Sequence, residues 1–156
     1  MVISMTFRGL HASLLAVVFL QTLTGCPGPG DRVSPDEEGH IIVNEGNVCF
    51  SVNGGDDYVL KYISINPRGA KPKDEKIIFS PQLRISHEML CIPPSFYKFD
   101  KDSQYYIQAS FASLRYADRP RRIVSALEVS NGEVHSIRPN DMEILRPYDE
   151  MIKNDE

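Results

Sequence analysis

Short runs of alternating apolar and polar residues recur from about residue 40 to residue 148, and they are rich in Val, Ile, Tyr and Phe. Asn, Gly, Pro and Asp interrupt these runs at intervals of roughly eight to twelve residues, and the region lacks the period of a long amphipathic helix. This pattern is typical of β-sandwiches and barrels. We therefore expect an all-β fold, an immunoglobulin-like antiparallel β-sandwich, with a barrel as the alternative. The predicted strands span residues 40–43, 47–52, 57–66, 76–79, 82–86, 89–92, 104–114, 122–130, 133–138 and 142–145.

The Asn-Gly pair at 131–132 predicts the best-defined turn, because both residues accept the positive φ of a two-residue type I′ hairpin. Such a turn pairs Val129 with Val134 and places Glu128 opposite His135. Glu128 and His135 are either an acid/base pair or, as we prefer, a cross-strand ion pair on a solvent-exposed face.

Alternation also divides the strand predicted at 104–114 into two faces. The odd-numbered residues from Tyr105 to Phe111 are apolar or aromatic, and we expect them to face the core. The even-numbered residues Tyr106, Gln108 and Ser110 are expected to face solvent.

An apolar run at residues 14–20 precedes the tetrapeptide Leu-Thr-Gly-Cys at 23–26, which has the form of a lipobox. The run is too short to cross a bilayer as a helix, but it has the length of a signal-peptide core. We expect residues 1–25 to be a cleaved lipoprotein signal peptide and Cys26 to carry the lipid. The alternative is an ordinary secretory signal followed by an incidental cysteine.

Pro and Gly alternate directly after Cys26, and no helix accommodates that sequence, so residues 26–39 are expected to form the lipidated end and a flexible tether. The residue after Cys26 is Pro27, and not the aspartate that commonly retains Gram-negative lipoproteins at the inner membrane. For a Gram-negative host we therefore expect a cell-envelope protein, lipid-anchored at the outer membrane and facing the periplasm.

Removing 25 of the 156 residues leaves 131, which is enough for one domain with its own core. We place this β-domain at 40–148 and expect the acidic tail at 149–156 to fray. The net charge of −4 argues against nucleic acid as a partner. Composition makes no prediction of the oligomeric state.

Three cysteines are present, and lipidation of Cys26 leaves Cys49 and Cys91 as an even pair in an oxidising compartment. We expect a disulfide between them, worth about 4 kcal/mol by loop entropy, with two separate buried thiols as the alternative. Alternation places Cys49 on the face opposite Phe50. Either a bulge turns Cys49 inward, or the bridge pins a sheet edge instead of joining two inner faces.

The sequence lacks the motifs of common catalytic sites, namely a nucleophile elbow, a zinc-protease helix, a Cys-x-x-Cys pair, a P-loop and a dinucleotide-binding loop. We expect no enzymatic activity, no cofactor and no metal site. One segment does have the composition of a contact surface, because four arginines fall within residues 115–122. The candidate partner-binding residues are Arg115, Tyr116, Arg119, Arg121 and Arg122. A solvated loop is the alternative, and lipid headgroups are a second possible ligand.

Four segments together carry a family resemblance: Thr-Gly-Cys-Pro-Gly-Pro-Gly-Asp-Arg at 24–32, Tyr-Ile-Ser-Ile-Asn-Pro-Arg-Gly at 62–69, Ile-Ile-Phe-Ser-Pro at 77–81 and Leu-Cys-Ile-Pro-Pro-Ser-Phe-Tyr at 90–97. With these segments the chain resembles small enterobacterial lipoproteins described as type VI secretion immunity proteins. The resemblance implies a periplasm-facing protein that binds a toxin from a neighbouring cell and neutralises it. Alternatives are an inhibitor of lysozyme or another envelope hydrolase, and a structural lipoprotein of an envelope assembly.

Overall fold

The computed structural model describes residues 34–116 and 120–147. The predicted signal peptide, the lipidation site Cys26, most of the predicted tether, Arg119 and the tail at 149–156 lie outside the described residues. The described residues form one compact unit.

Within these residues there are ten strands, and two short 3-10 turns, Gly55–Asp57 and Pro72–Asp74, connect some of them. The strands are β1 (Glu37–Glu38), β2 (Ile41–Asn44), β3 (Asn47–Ser51), β4 (Tyr58–Pro67), β5 (Ile77–Phe79), β6 (Ile85–Ser86), β7 (Met89–Ile92), β8 (Ser103–Ser113), β9 (Arg121–Ser130) and β10 (Glu133–Ile137). No helix in the described part of the chain has the length and hydrophobicity needed to cross a membrane.

The strands form two sheets. The larger sheet has the order β1-β9-β8-β4-β5, with β10 also paired to β9, and the smaller sheet has the order β2-β3-β7-β6. Every pair is antiparallel except β1 with β9, which is parallel. Over the described residues the sheets do not close into a barrel, so the predicted all-β sandwich is confirmed.

The core lies between the two sheets and takes alternate residues from each. The smaller sheet contributes Phe50 and Leu90, both fully buried, and the larger sheet contributes Ile63 and Ile107. The odd-numbered residues of β8 face this core, as predicted from their alternation. The hairpin at 131–132 also has the predicted register, with Val134 opposite Val129.

The Cys49–Cys91 disulfide is present and confirms the predicted pairing. The two cysteines lie directly opposite each other on β3 and β7, the central pair of the smaller sheet, with Cα atoms 4.1 Å apart. The β3–β7 register runs without a shift from Val48 to Ser51, so no bulge turns Cys49 inward. The bridge therefore lies within one sheet and does not join the two inner faces, but it links the two central strands, so the expectation that it pins a sheet edge was also wrong.

The structure differs from the prediction at both ends of the domain. Residues 142–145 form no strand, because the amides of Glu143 and Ile144 bond back to the carbonyl of Asn140 in a turn. Residues 36–39, assigned to the tether, belong to the sheet: β1 pairs with β9, and the amide of Gly39 donates to Val124 O at 2.8 Å. Strand β1 forms through backbone pairing with β9. Its two glutamates show no alternation of apolar and polar residues, so the sequence pattern did not predict it.

The prediction that the even-numbered face of β8 is exposed was wrong for its central part. Tyr106 is only 4% exposed, and Gln108 donates from Nε2 to the carbonyl of Glu143 at 3.0 Å. The chain after β10, residues 138–147, lies on this outer face of the larger sheet. We call these residues the C-terminal strap. At the other side of the same sheet, β5 has no second strand neighbour among the described residues.

Candidate interaction surface

The arginine-rich segment predicted to bind a partner is largely engaged within the domain. Arg121 forms a two-pronged ion pair with Glu37 of β1, and its Nη1 donates to Asn53 O at 2.5 Å. Its guanidinium also lies over the ring of Tyr58, 5.3 Å from the centroid. The hydrogen bonds with Glu37 raise the pKa of Arg121 above its usual value. Arg121 thus joins β9 to β1 and to the loop after β3.

Arg122 has a similar role one residue further along β9. Its Nε and Nη2 donate to the two carboxylate oxygens of Asp36, at 2.5 and 2.8 Å. The second oxygen of Asp36 also accepts the amide of Leu145 at 2.7 Å. One buried carboxylate therefore connects β9, the residues before β1 and the C-terminal strap.

Arg115 and Tyr116 are the exposed members of the predicted set. The side chain of Arg115 is 68% exposed and pairs with Asp57 at 2.7 Å, while Tyr116 is 53% exposed. Arg119 lies outside the described residues. Arg121 and Arg122 therefore form ion pairs that hold parts of the domain together. Arg115 and Tyr116 lie on the surface after the end of β8.

A more open surface, not predicted from the sequence, lies on β5, the outermost strand on one side of the larger sheet. All three of its residues are large, apolar and exposed: Ile77 48%, Ile78 38% and Phe79 72%. We call this strand, with its unpaired side, the β5 edge. Phe79 rests against Tyr62 of β4, with ring centroids 6.0 Å apart. The sequence signal was a short, non-alternating apolar run between Lys76 and Pro81, but nothing in that run shows that it ends at a sheet edge.

The backbone of β5 is held in place on its inner side. Ser80 donates its amide to Lys61 O at 2.8 Å, and Lys76 donates its amide to the side-chain carbonyl of Asn66 at 2.8 Å. Asn66 is buried and is itself fixed by a bond from Nδ2 to Ser64 Oγ at 2.6 Å. Hydrogen bonds therefore anchor the chain immediately before and immediately after the three residues of β5.

Four lysines lie close to β5, either in the sequence before it or across the β4–β5 pair. Lys76 precedes the strand, Lys71 and Lys73 lie in or next to the 3-10 turn before it, and Lys61 lies opposite Ser80. Within the described residues no ion pair uses any of these four lysines, whereas Arg68, Arg115, Arg121 and Arg122 all form one. The edge thus combines exposed apolar side chains with nearby lysines that form no ion pair with another described residue.

Other side-chain clusters serve the fold. Glu128 and His135 are cross-strand neighbours, but the described contact of Glu128 is a 3.1 Å bond from Gln104 Nε2. In the strap, Glu143 accepts both Nε and Nη2 of Arg68 and also the amide of Asn140. Across 34–116 and 120–147, no group of three or more His, Cys, Asp or Glu side chains is placed to hold a metal ion.

A shallow cleft of about 250 Å³ lies beside the packed rings of Tyr97 and Phe99, whose centroids are 4.8 Å apart. Its rim includes Lys98 and Lys101. Pockets that enclose small ligands commonly have roughly 300–1,000 Å³. At about 250 Å³ this cleft is smaller than that range.

Comparison with known proteins gives one match. The sequence model of a family described as a domain of unknown function (DUF7480) matches residues 36–132, which run from the ion-paired Asp36 to the turn after β9. No curated protein and no solved structure matches the chain.

Proposed function

The chain belongs to the DUF7480 family, and we propose that it is a non-enzymatic, lipid-anchored envelope protein that binds a protein toxin acting in the periplasm and neutralises it. The lipid anchor is on Cys26, and the anchored protein faces the periplasm from the outer membrane. The proposal combines the lipobox at 23–26 and the resemblance to secretion immunity proteins with one structural observation, the open β5 edge.

The β5 edge supports protein binding because folded proteins usually protect such strands. An unpaired edge invites another chain to add to the sheet, and natural proteins shorten, charge or cover their edges to prevent it. Here the strand is short and lysines flank it, but its own three side chains are apolar and exposed. Exposed apolar side chains ringed by polar ones are typical of a protein contact.

A blocking protein needs a rigid, complementary surface and no chemistry of its own. The Cys49–Cys91 bridge stiffens the smaller sheet, and the ion pairs of Arg121 and Arg122 hold β1 on the larger one. Because the domain is already ordered, little of the binding free energy is lost in ordering it when a partner binds.

The proposal is tested by a competition between sibling strains. A strain without this gene should lose against a parent whose secretion system is active, and it should survive against a parent whose system is inactivated. The native chain should restore survival, and Cys26→Ser should restore it less well because the protein is no longer held at the membrane. The same variant should lose labelling by radioactive palmitate.

Equal survival of the deletion strain and the parent would contradict toxin neutralisation. In that case, direct assay of the purified chain against lysozyme and other cell-wall hydrolases decides whether it inhibits an envelope hydrolase instead.

A further inference from the structure

We propose that the β5 edge is a β-augmentation site, which takes an extended, acidic segment of a partner protein as an additional strand of the larger sheet. The inference rests on the proposed function, since it states how the bound protein is recognised. It adds a binding mode, a position and a chemical class of partner.

The backbone of β5 supplies the first part of the argument. In an antiparallel pair, alternate residues bond to the partner strand while those between them point away from it. Ser80 donates to Lys61 of β4, and Ile78 lies opposite Ile63, so these positions face inward. Ile77 and Phe79 therefore direct their N–H and C=O groups to the open side. These four backbone groups have no hydrogen-bond partner among the described residues, so an incoming strand can use them.

The side chains of β5 supply the second part. Ile77 and Phe79 point to the outer face of the sheet, beside Ser64 and Tyr62 of β4. Ile78 points to the core face, opposite Ile63. An added strand would therefore contact apolar side chains on both of its faces. In strand addition the main chain provides affinity and such alternate contacts provide specificity.

Charge selects the class of partner. Lys61, Lys71, Lys73 and Lys76 outnumber the acids of the same segment, Asp74 and Glu75, so the edge carries a net charge of about +2 (4 − 2). Glu75 is further occupied by the hydroxyl of Tyr106, which donates to it at 2.8 Å. Opposite charges across neighbouring strands stabilise a sheet, and like charges destabilise it. An acidic strand fits this edge, whereas two copies of it would place their lysines against each other.

The test uses the full chain in detergent and two short synthetic peptides, one alternating Val and Glu and the other alternating Val and Lys. Fluorescence anisotropy should show that the Val/Glu peptide binds and that the Val/Lys peptide binds at least tenfold more weakly. Hydrogen exchange should show protection of Ile77–Phe79 by the Val/Glu peptide.

Two variants separate the backbone from the charge. Ile77→Pro removes an outward N–H and leaves the inward hydrogen bonds of β5 intact. It should weaken peptide binding by roughly fivefold to tenfold, as expected for the loss of one hydrogen bond and of some shape complementarity. Val43→Pro on β2, an exposed edge position of the other sheet, is the matched control and should leave binding unchanged. The pair Lys73→Glu with Lys76→Glu should reverse the preference between the peptides, while Lys98→Glu with Lys101→Glu should not.

Circular dichroism and the urea midpoint establish that each variant is folded, and if Ile77→Pro is not, the lysine reversals decide alone. Equal binding of both peptides, or protection outside β5, would overturn the inference. So would dimers that Ile77→Pro abolishes, or preferential binding of the edge to vesicles of anionic lipid.

The inference and the proposed function fail separately. A toxin that binds Ile77→Pro as tightly as the native chain would keep the function and reject the β5 site. Specific binding of the Val/Glu peptide without any protection in the competition would keep the site and reject toxin neutralisation.

Discussion

Replacing Arg68 with methionine should destabilise the domain far more than the same replacement at Arg115, although both arginines form ion pairs of nearly equal length. Arg68 Nε lies 2.8 Å from Glu143, and Arg115 Nε lies 2.7 Å from Asp57. What differs is the surrounding solvent. The side chains of the first pair are 23% and 6% exposed, and those of the second are 68% and 44% exposed.

The expected magnitudes follow from that exposure. Breaking a buried pair leaves an uncompensated charge and costs about 3–5 kcal/mol. Since Arg68 is partly exposed, we expect about 3 kcal/mol, the lower end. An exposed pair contributes less than about 1 kcal/mol. Arg68 also donates to the carbonyl of Arg138 at 2.9 Å, so its loss releases the C-terminal strap at two points.

Urea unfolding of the full chain in detergent, followed by tyrosine fluorescence, measures both variants. With a slope of about 1.5 kcal/mol per molar urea, the Arg68→Met midpoint should fall by about 2 M and the Arg115→Met midpoint by less than about 0.7 M. The double variant Arg68→Met with Glu143→Met should recover part of the loss, because it removes the stranded carboxylate. Equal losses in the two single variants would refute the reasoning that burial sets the strength of these pairs.

Three further predictions concern the interior of the domain. Removing the disulfide by Cys91→Ser should lower the free energy of unfolding by up to about 4 kcal/mol, and a loss below about 1 kcal/mol in urea titrations would contradict the loop-entropy estimate. Burial and the hydrogen bond to Glu75 raise the pKa of Tyr106 in the folded protein. The contribution of Tyr106 to the free energy of unfolding is therefore fully present below the unfolded pKa of about 10, and it is lost as the pH rises further. Alkaline titration of stability should therefore show a steeper decline for the native chain than for Tyr106→Phe, and parallel curves would speak against it. Gly39→Ala should destabilise by about 1–3 kcal/mol, because the new Cβ would lie 2.2 Å from Ser125 Oγ; hydrogen exchange at β1 should accelerate, and unchanged exchange would show that the contact relaxes freely.

Turn motifs and residue alternation predicted the strands whose pairing or core face depends on residues close in sequence. The type I′ turn at 131–132 fixed the register of β9 with β10, because a two-residue loop allows only one pairing. Alternation identified the core face of β8, since one side of a buried sheet must be apolar. The disulfide followed from counting cysteines, whereas its place within one sheet depended on which strands became neighbours.

Long-range contacts account for what the sequence did not reveal. The strap covers the outer face of β8 through the Arg68–Glu143 pair, whose members are 75 positions apart. Strand β1 is held by the backbone of β9 and by the ion pair of Arg121 with Glu37, although its two glutamates on their own resemble part of a tether. The arginines of the 115–122 segment suggested a binding loop by composition, yet the acids that pair with Arg121 and Arg122 lie more than 80 positions earlier in the chain.

The strand order of the larger sheet has a directional consequence. Strand β1, where the described chain enters the sheet, and strand β5 occupy opposite edges of the path β1-β9-β8-β4-β5. At about 4.8 Å per step, these edges are roughly 19 Å apart. Under the anchoring at Cys26 and the β5 partner site proposed above, the chain that leads to the anchor would join the sheet at one edge, and the partner would bind at the opposite edge.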